Sequence, residues 1–270
     1  MWAHYSSIMS TQLSDRWKGW TDWTLPKQPK AVMLGSCFSV EVAQRCELNH
    51  WKVLSNPMGT LFQPLSILNW LKGDLDALER SIVFHEEKWK MLMAGKVGQS
   101  DFSKEALLQW SKSVVNDLQA SILSSQVLVI TWGTAHAWKW KQGDMAIGNC
   151  QRLPQQEFDK MWLTISEIVD VYKHWFNGFQ LQFPHVKVVL TVSPVRHEKL
   201  GVVENSRSKA ILIEAAHQLA EQTSIRYFPS YEWIQDELRD YTYYEKDGCH
   251  PNAQAIDFVA QHWFKSFVYE

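Results

Sequence analysis

The chain has 270 residues, is 46% hydrophobic and carries a formal net charge of −2 at neutral pH. That length suits one large α/β domain, or one such domain with an insertion. The near-neutral charge argues against a general nucleic-acid or membrane-surface binder. No apolar run approaches the roughly 20 residues that a membrane span needs.

Residues 1–30 read as an irregular N-terminal arm, with Trp17, Trp20 and Trp23 anchoring it against a single domain over residues 31–270. The segment from Met1 to Trp23 is polar and aromatic and has no secretory apolar region. The first strand is Ala31–Leu34, ending at Gly35-Ser36. A helix is expected from about Val40 to Asn49. Trp51–Leu54 is a short second strand running into the turn-rich loop Ser55-Asn56-Pro57-Met58-Gly59-Thr60. Pro64 opens a helix to about Lys72, where its missing N–H costs nothing. Residues 73–103 are mixed, contain Gly73, Gly95 and Gly98, and read as an insertion or cap. Apolar spacing predicts a helix from Glu105 to Leu123.

Val127–Thr131 is a β-branched run of the buried parallel type. It is followed by Trp132-Gly133-Thr134-Ala135-His136 and a hairpin around residues 137–148. Pro154 is expected to open a long helix to about Phe179. Val186–Val192 is the fourth strand, ending in Ser193-Pro194-Val195-Arg196-His197. A helix from about Ser206 to Gln222 presents Ile211, Ala215 and Leu219 on one face. Arg226–Pro229 is the fifth strand, and Tyr231–Leu238 a turn of helix. Pro251 is expected to start the last helix, to about Phe267. Five strand-then-helix units with buried strands predict a doubly wound, three-layer α/β/α sandwich.

In such a sheet the loops at the carboxyl ends of the strands converge on one edge, where ligands bind. These loops supply Ser36, then Asn56 and Gly59, then Gly133, Thr134 and His136, then Arg196 and His197, and last Asp247 and His250. The chemistry that uses such a set is acyl transfer. Ser36 attacks a carbonyl, His250 takes its proton and Asp247 orients the imidazole. The backbone N–H groups of Ser36 and Gly59, with a side-chain donor from Asn56 or Thr134, would hold the oxyanion. Arg196, His197 and His136 are the candidate substrate-binding residues. Each feature alone also has an ordinary structural explanation: a Gly-Ser turn after a strand is common, His250-Pro251 could cap a helix, and Asn56 before a proline forms turns. Their joint placement at strand ends, in order, is what points to a site. There is no G-x-S-x-G elbow.

Four cysteines (Cys37, Cys46, Cys150, Cys249) show no C-x-x-C spacing and read as reduced thiols of a cytoplasmic protein. Fifteen tryptophans are unusual; most are assigned to packing, and the remainder to an aromatic wall for a sugar-like or acyl ligand. A metal site built from His136, His197, Asp247 and His250 has no recognised ligand spacing, so neither metal nor cofactor is expected.

Gly35-Ser36-Cys37-Phe38-Ser39 resembles the motif that names the GSCFA family, with serine where that motif ends in alanine. The resemblance continues through Asn56-Pro57 with Gly59, Leu61-Phe62-Gln63-Pro64, Gly133-Thr134-Ala135, Asn149-Cys150, Ser193–His197, Ser206–Ala210, Tyr227–Glu232, Asp236–Arg239 and Asp247–Pro251. The family is similar to the SGNH/GDSL hydrolases, which implies a flavodoxin-like parallel sheet in the order 2-1-3-4-5. It implies that Ser36 matches their first-block serine, that Asp247 and His250 match their last-block pair, and that Gly59 matches the second-block glycine. The third-block asparagine has no match; Thr134 stands near its place. The function expected is a serine esterase or O-acyl hydrolase acting on a small-molecule or saccharide ester, such as a sugar-linked O-acetyl group. The alternatives are an acyltransferase on the same site, or a binding protein that keeps the fold without turnover. The sequence leaves the oligomeric state open.

Overall fold

The computed structural model describes residues 17–95 and 103–270. Five strands form the central sheet: β1 (Lys30–Gly35), β2 (Lys52–Ser55), β3 (Val127–Trp132), β4 (Lys187–Val192) and β5 (Arg226–Phe228). All four pairings are parallel, and the strands lie in the order β5-β4-β3-β1-β2. β1 and β3 are central, and their apolar runs are buried on both faces, as parallel strands between helices require. Val32, Leu34, Leu128, Ile130, Val188 and Leu190 face one core. Helices α2 (Pro64–Lys72), α3 (Lys104–Ser124), α4 (Ile165–Gln182) and α5 (Gly201–Gln222) pack their apolar stripes into it. The alternate residues Ala31, Met33, Val127, Val129 and Val189 face a second core, which takes α1 (Cys37–Leu48) and α6 (Ala253–Phe264).

The tryptophans at the start of the described chain belong to this second core. Trp17, Trp20 and Trp23 pack in edge-on and tilted contacts with one another and with Phe228, Trp233, Trp263 and Phe267. Thr24–Leu25 pairs in parallel with Val268–Tyr269, so the two ends of the described domain are joined. The rest of the expected arm, residues 1–16, lies outside the described residues.

The region expected to be an insertion contains a short helix, Leu75–Arg80, and an antiparallel hairpin, Ile82–His85 with Lys88–Met91. The chain then returns to the core at Met91–Ala94. Residues 96–102, including Gly98, lie outside the described residues.

Two expected helix starts are corrected. Pro154 does not open a long helix. It leads into a single 3₁₀ turn, and Phe158–Trp162 is a strand that pairs antiparallel with His136–Trp140. With Met145–Ile147 it turns the expected hairpin into a three-stranded sheet. The helix begins only after Thr164, which caps it through a reciprocal box with Glu167. Pro251 likewise does not start the last helix. It bridges to Tyr244, and Asn252 is the cap of α6 through its side-chain bond to Ala255 N–H. Two other helices begin earlier than expected: α1 at Cys37, directly after Ser36, and α5 at Gly201.

Candidate active site

The end of β1 is shaped by Gly35. Its φ of +125° is a conformation that L side chains rarely adopt, and a Cβ there would lie 2.1 Å from the Thr131 carbonyl oxygen. Only glycine lets β1 turn this close to β3. The turn is then tied on three sides. Gly35 N–H donates to Asn56 Oδ1 at 2.7 Å, Ser36 N–H donates to Thr131 O at 3.1 Å, and Leu61 N–H donates to Gly35 O at 3.0 Å.

Ser36 follows at the N-cap position of α1. A serine here commonly accepts a bond from the first turn of the helix, but Ser36 makes no side-chain cap bond. Its Oγ is buried and has no hydrogen-bond partner. It stands at the positive end of a 12-residue helix, in whose first turn Ser39 N–H donates to Ser36 O at 2.9 Å.

Asp247 and His250 lie in the loop before α6. Asp247 Oδ1 accepts from the N–H groups of Cys249 (2.8 Å) and His250 (3.0 Å), and its Oδ2 is 2.7 Å from His250 Nδ1. These donors hold the Asp247 carboxyl down to about 2, with the two backbone N–H groups first among the causes. An ionised carboxylate only accepts, so Nδ1 carries the proton and Nε2 presents its lone pair.

Ser36, Asp247 and His250 line one cavity of about 450 Å³, together with Cys37, Phe62, Gly133, Ser193, Val195, Arg196, His197, Lys199 and Cys249. No hydrogen bond joins Ser36 Oγ to His250. The chain's loops therefore bring the serine and the Asp–His pair to one chamber at the carboxyl edge of the sheet.

Cys37 is half-buried and lines this chamber beside Ser36. Burial pushes its thiol up, away from the reactive thiolate. Arg196 and His197 also line the chamber. The His197 imidazole is pushed toward its neutral form, first by burial and then by the nearby Lys209 ammonium. His136 does not line it. It is buried in the three-stranded sheet, edge-on to Trp138 and Trp162, and burial favours its neutral form. Among the described residues, no group of three or more His, Cys, Asp or Glu is gathered as a metal site requires.

The expected oxyanion donors divide. Gly59 N–H closes the turn by donating to Asn56 O at 2.8 Å, and Gly59 does not line the chamber. Thr134 Oγ1 is buried against Ser208 Oγ at 3.1 Å and accepts from His136 N–H. Ser36 N–H is engaged with Thr131 O, as above. Asn56 is different. Its Oδ1 holds Gly35, and its Nδ2 is buried with no hydrogen-bond partner. The tryptophan wall is corrected: among the described residues no tryptophan lines the chamber, and Phe62 is its one phenyl ring. The rings are used in the cores and the small sheet instead.

One residue of the site's framework escaped the sequence reading. Lys209 on α5 is fully buried, and its Nζ donates to Gly133 O and Ser193 O, both at 2.6 Å. Both carbonyls belong to residues of the chamber wall. The signal was present: Lys209 falls on the stripe that continues with Leu212, Ala216 and Leu219. A lysine on an apolar stripe requires buried acceptors.

Among solved structures, the chain is similar to a protein named GDSL-like lipase from Parabacteroides merdae, at 12% identity and a TM-score of 0.48, covering 90% of this chain and 96% of that one. It is also similar to a carbohydrate esterase family 3 protein from Talaromyces cellulolyticus, at 10% identity and a TM-score of 0.34, covering 87% and 94%. A carbohydrate esterase family 2 enzyme of Corynascus thermopiles has 11% identity and a TM-score of 0.36, covering 89% and 65%. No curated protein matches the chain. The motif around Ser36 and the blocks that follow it are nevertheless those of one family: its model matches residues 30–263, and the chain belongs to the GSCFA family.

Proposed function

We propose that the protein is a serine esterase, an O-acyl hydrolase working through Ser36, His250 and Asp247. The flavodoxin-like α/β/α arrangement implied by the family resemblance is the frame for this reading. The observation that carries it is the unpartnered, buried Ser36 hydroxyl in the same chamber as an Asp–His pair whose histidine presents Nε2. Ser36 Oγ attacks the ester carbonyl while His250 Nε2 takes its proton. The imidazolium so formed is stabilised by the Asp247 carboxylate. Asn56 Nδ2 and the N–H groups of Cys37 and Phe38 at the start of α1 are the donors proposed for the oxyanion. His250 then protonates the leaving alcohol, and the serine is left acylated. Water, deprotonated by His250, attacks the acyl carbon and releases the acid, which restores Ser36. The absence of C-x-x-C spacing among the four cysteines accords with a reducing, cytoplasmic setting. No helix among the described residues is long and apolar enough to cross a membrane.

A fluorophosphonate probe tests the reading. Labelling of the wild-type protein at Ser36, and its loss in Ser36→Ala, is the expected result. An unlabelled wild-type protein would leave a binding protein on a hydrolase-like fold.

A further inference from the structure

The chamber's side walls are cationic. Arg196 and Lys199 both line it, and Asp247, its single carboxylate among the described residues, is taken up by His250 and two backbone N–H groups. Arg196 is held without a carboxylate partner among the described residues. Its guanidinium lies over the rings of Tyr244 (4.6 Å) and Tyr241 (5.0 Å), and its NH1 donates to Tyr241 Oη at 3.0 Å. Aromatic faces hold a guanidinium in place without neutralising it. Its backbone is also fixed to the catalytic loop, because Arg196 N–H donates to Cys249 O at 3.1 Å. A charged, oriented fork is thus built one hydrogen bond away from the Asp247–His250 segment. Among the described residues, no tryptophan lines the chamber for a neutral pyranose to stack on.

We propose that the substrate of this site is an ester bearing an anionic group, a carboxylate, phosphate or sulfate, which docks on Arg196 with Lys199 beside it. The proposal rests on the esterase reading and deepens it. A planar guanidinium binds such groups through paired N–H donors, and the Tyr241–Tyr244 pair holds it in place. Substrate selection then comes from charge pairing at a fixed place in the wall, and neutral esters of the same shape bind less well.

The test uses two pairs of esters, differing in charge on either side of the ester bond. One is 4-acetoxybenzoate against 4-acetoxybenzamide. The other is monoethyl succinate against the neutral ethyl succinamate. Binding is measured by calorimetry on Ser36→Ala, which leaves the esters intact. The expected result is at least tenfold tighter binding of the anion in one pair, lost in the Ser36→Ala/Arg196→Gln double variant and largely retained with Arg196→Lys. Lys199→Gln, on the surface, should give a smaller loss and keeps the test independent of the Tyr241–Tyr244 packing. Equal binding within both pairs, or a preference that survives Arg196→Gln, overturns the proposal. Hydrolysis of the same four esters by the wild-type protein is read separately. Its absence would remove the esterase reading, while the binding result still decides the charge preference.

Discussion

Gly35 and Asn56 are joined by a 2.7 Å hydrogen bond from a backbone N–H to a side-chain oxygen, and this bond leaves the other half of the Asn56 amide buried beside the Ser36 turn without a partner. The proposed reaction gives this side chain two separable roles: Oδ1 holds the turn, and Nδ2 would donate to charge that develops on the substrate.

Asn56→Asp separates them. Aspartate keeps the acceptor for Gly35 N–H and tolerates the positive φ of 43°, but has no N–H donor. The expected outcome is a fold that melts near the wild-type temperature and a kcat lower by about 10²–10³, the usual cost of one oxyanion donor. Asn56→Ala should lose both rate and stability. A fully active Asn56→Asp protein would remove Nδ2 from the reaction and leave the N–H groups of α1 as the oxyanion donors.

Ser36 and Cys37 are neighbours in the same chamber, so each is a candidate nucleophile. The Cys37 thiol is held protonated by burial, whereas Ser36 has its hydroxyl uncommitted. Ser36→Ala should abolish turnover of p-nitrophenyl acetate, and Cys37→Ala should keep most of it. The opposite pattern would reassign the nucleophile.

Asp247 carries a pH prediction for stability and one for rate. Its folded pKa is depressed from 3.8 to about 2, so folding favours the ionised form. The stabilisation is complete above pH 3.8 and is lost as pH falls through about 2. The gap in melting temperature between wild type and Asp247→Asn should therefore close as the pH drops from 4 to 2. At neutral pH the same variant should lower kcat by roughly 10⁴, the loss seen when a triad aspartate is replaced by its amide. Melting gaps that stay constant over that pH range would mean that the two backbone N–H groups and His250 do not hold the carboxylate in solution.

Much of this site was legible in the residues themselves. The β-branched runs at 127–131 and 186–192 mark buried parallel strands, and a parallel sheet delivers its loops to one edge. That logic brought Ser36, Arg196, His197, Asp247 and His250 to one chamber before any geometry was known. It failed where the outcome depends on which partner a polar group finds. Gly59 N–H closes its own turn and Thr134 turns toward Ser208, and neither choice is written in residue type. His136 and a minority of the tryptophans read as ligand contacts because aromatic and imidazole groups serve equally well in packing. The strand Phe158–Trp162 was hidden by Pro154, a good helix opener, although Thr164-x-x-Glu167 already marked where the helix begins.

Lys209 supplies the last prediction. Its ammonium is clamped between Gly133 O and Ser193 O, so it ties the ends of β3 and β4 at the chamber wall. Replacing it with methionine keeps the apolar stem but leaves two carbonyls without their donor, a loss of about 1–3 kcal/mol for each buried unsatisfied group. Relief from burying a charge offsets part of that loss, and the offset depends on pH. Burial pushes the Lys209 pKa from 10.5 down to about 7. Between those values the unfolded chain binds the proton and the folded one releases it, so on this account stability rises with pH from 7 toward 10.5. Below pH 7 both states are charged, and the full desolvation penalty stands against the fold. Urea midpoints at pH 6.5, 8 and 9.5 should therefore show the advantage of wild type over Lys209→Met growing with pH. Because Gly133 and Ser193 line the chamber, the variant should also lose activity toward p-nitrophenyl acetate at every pH. Parallel stability curves would mean that Lys209 keeps its proton throughout, held by its two carbonyls more firmly than burial opposes it.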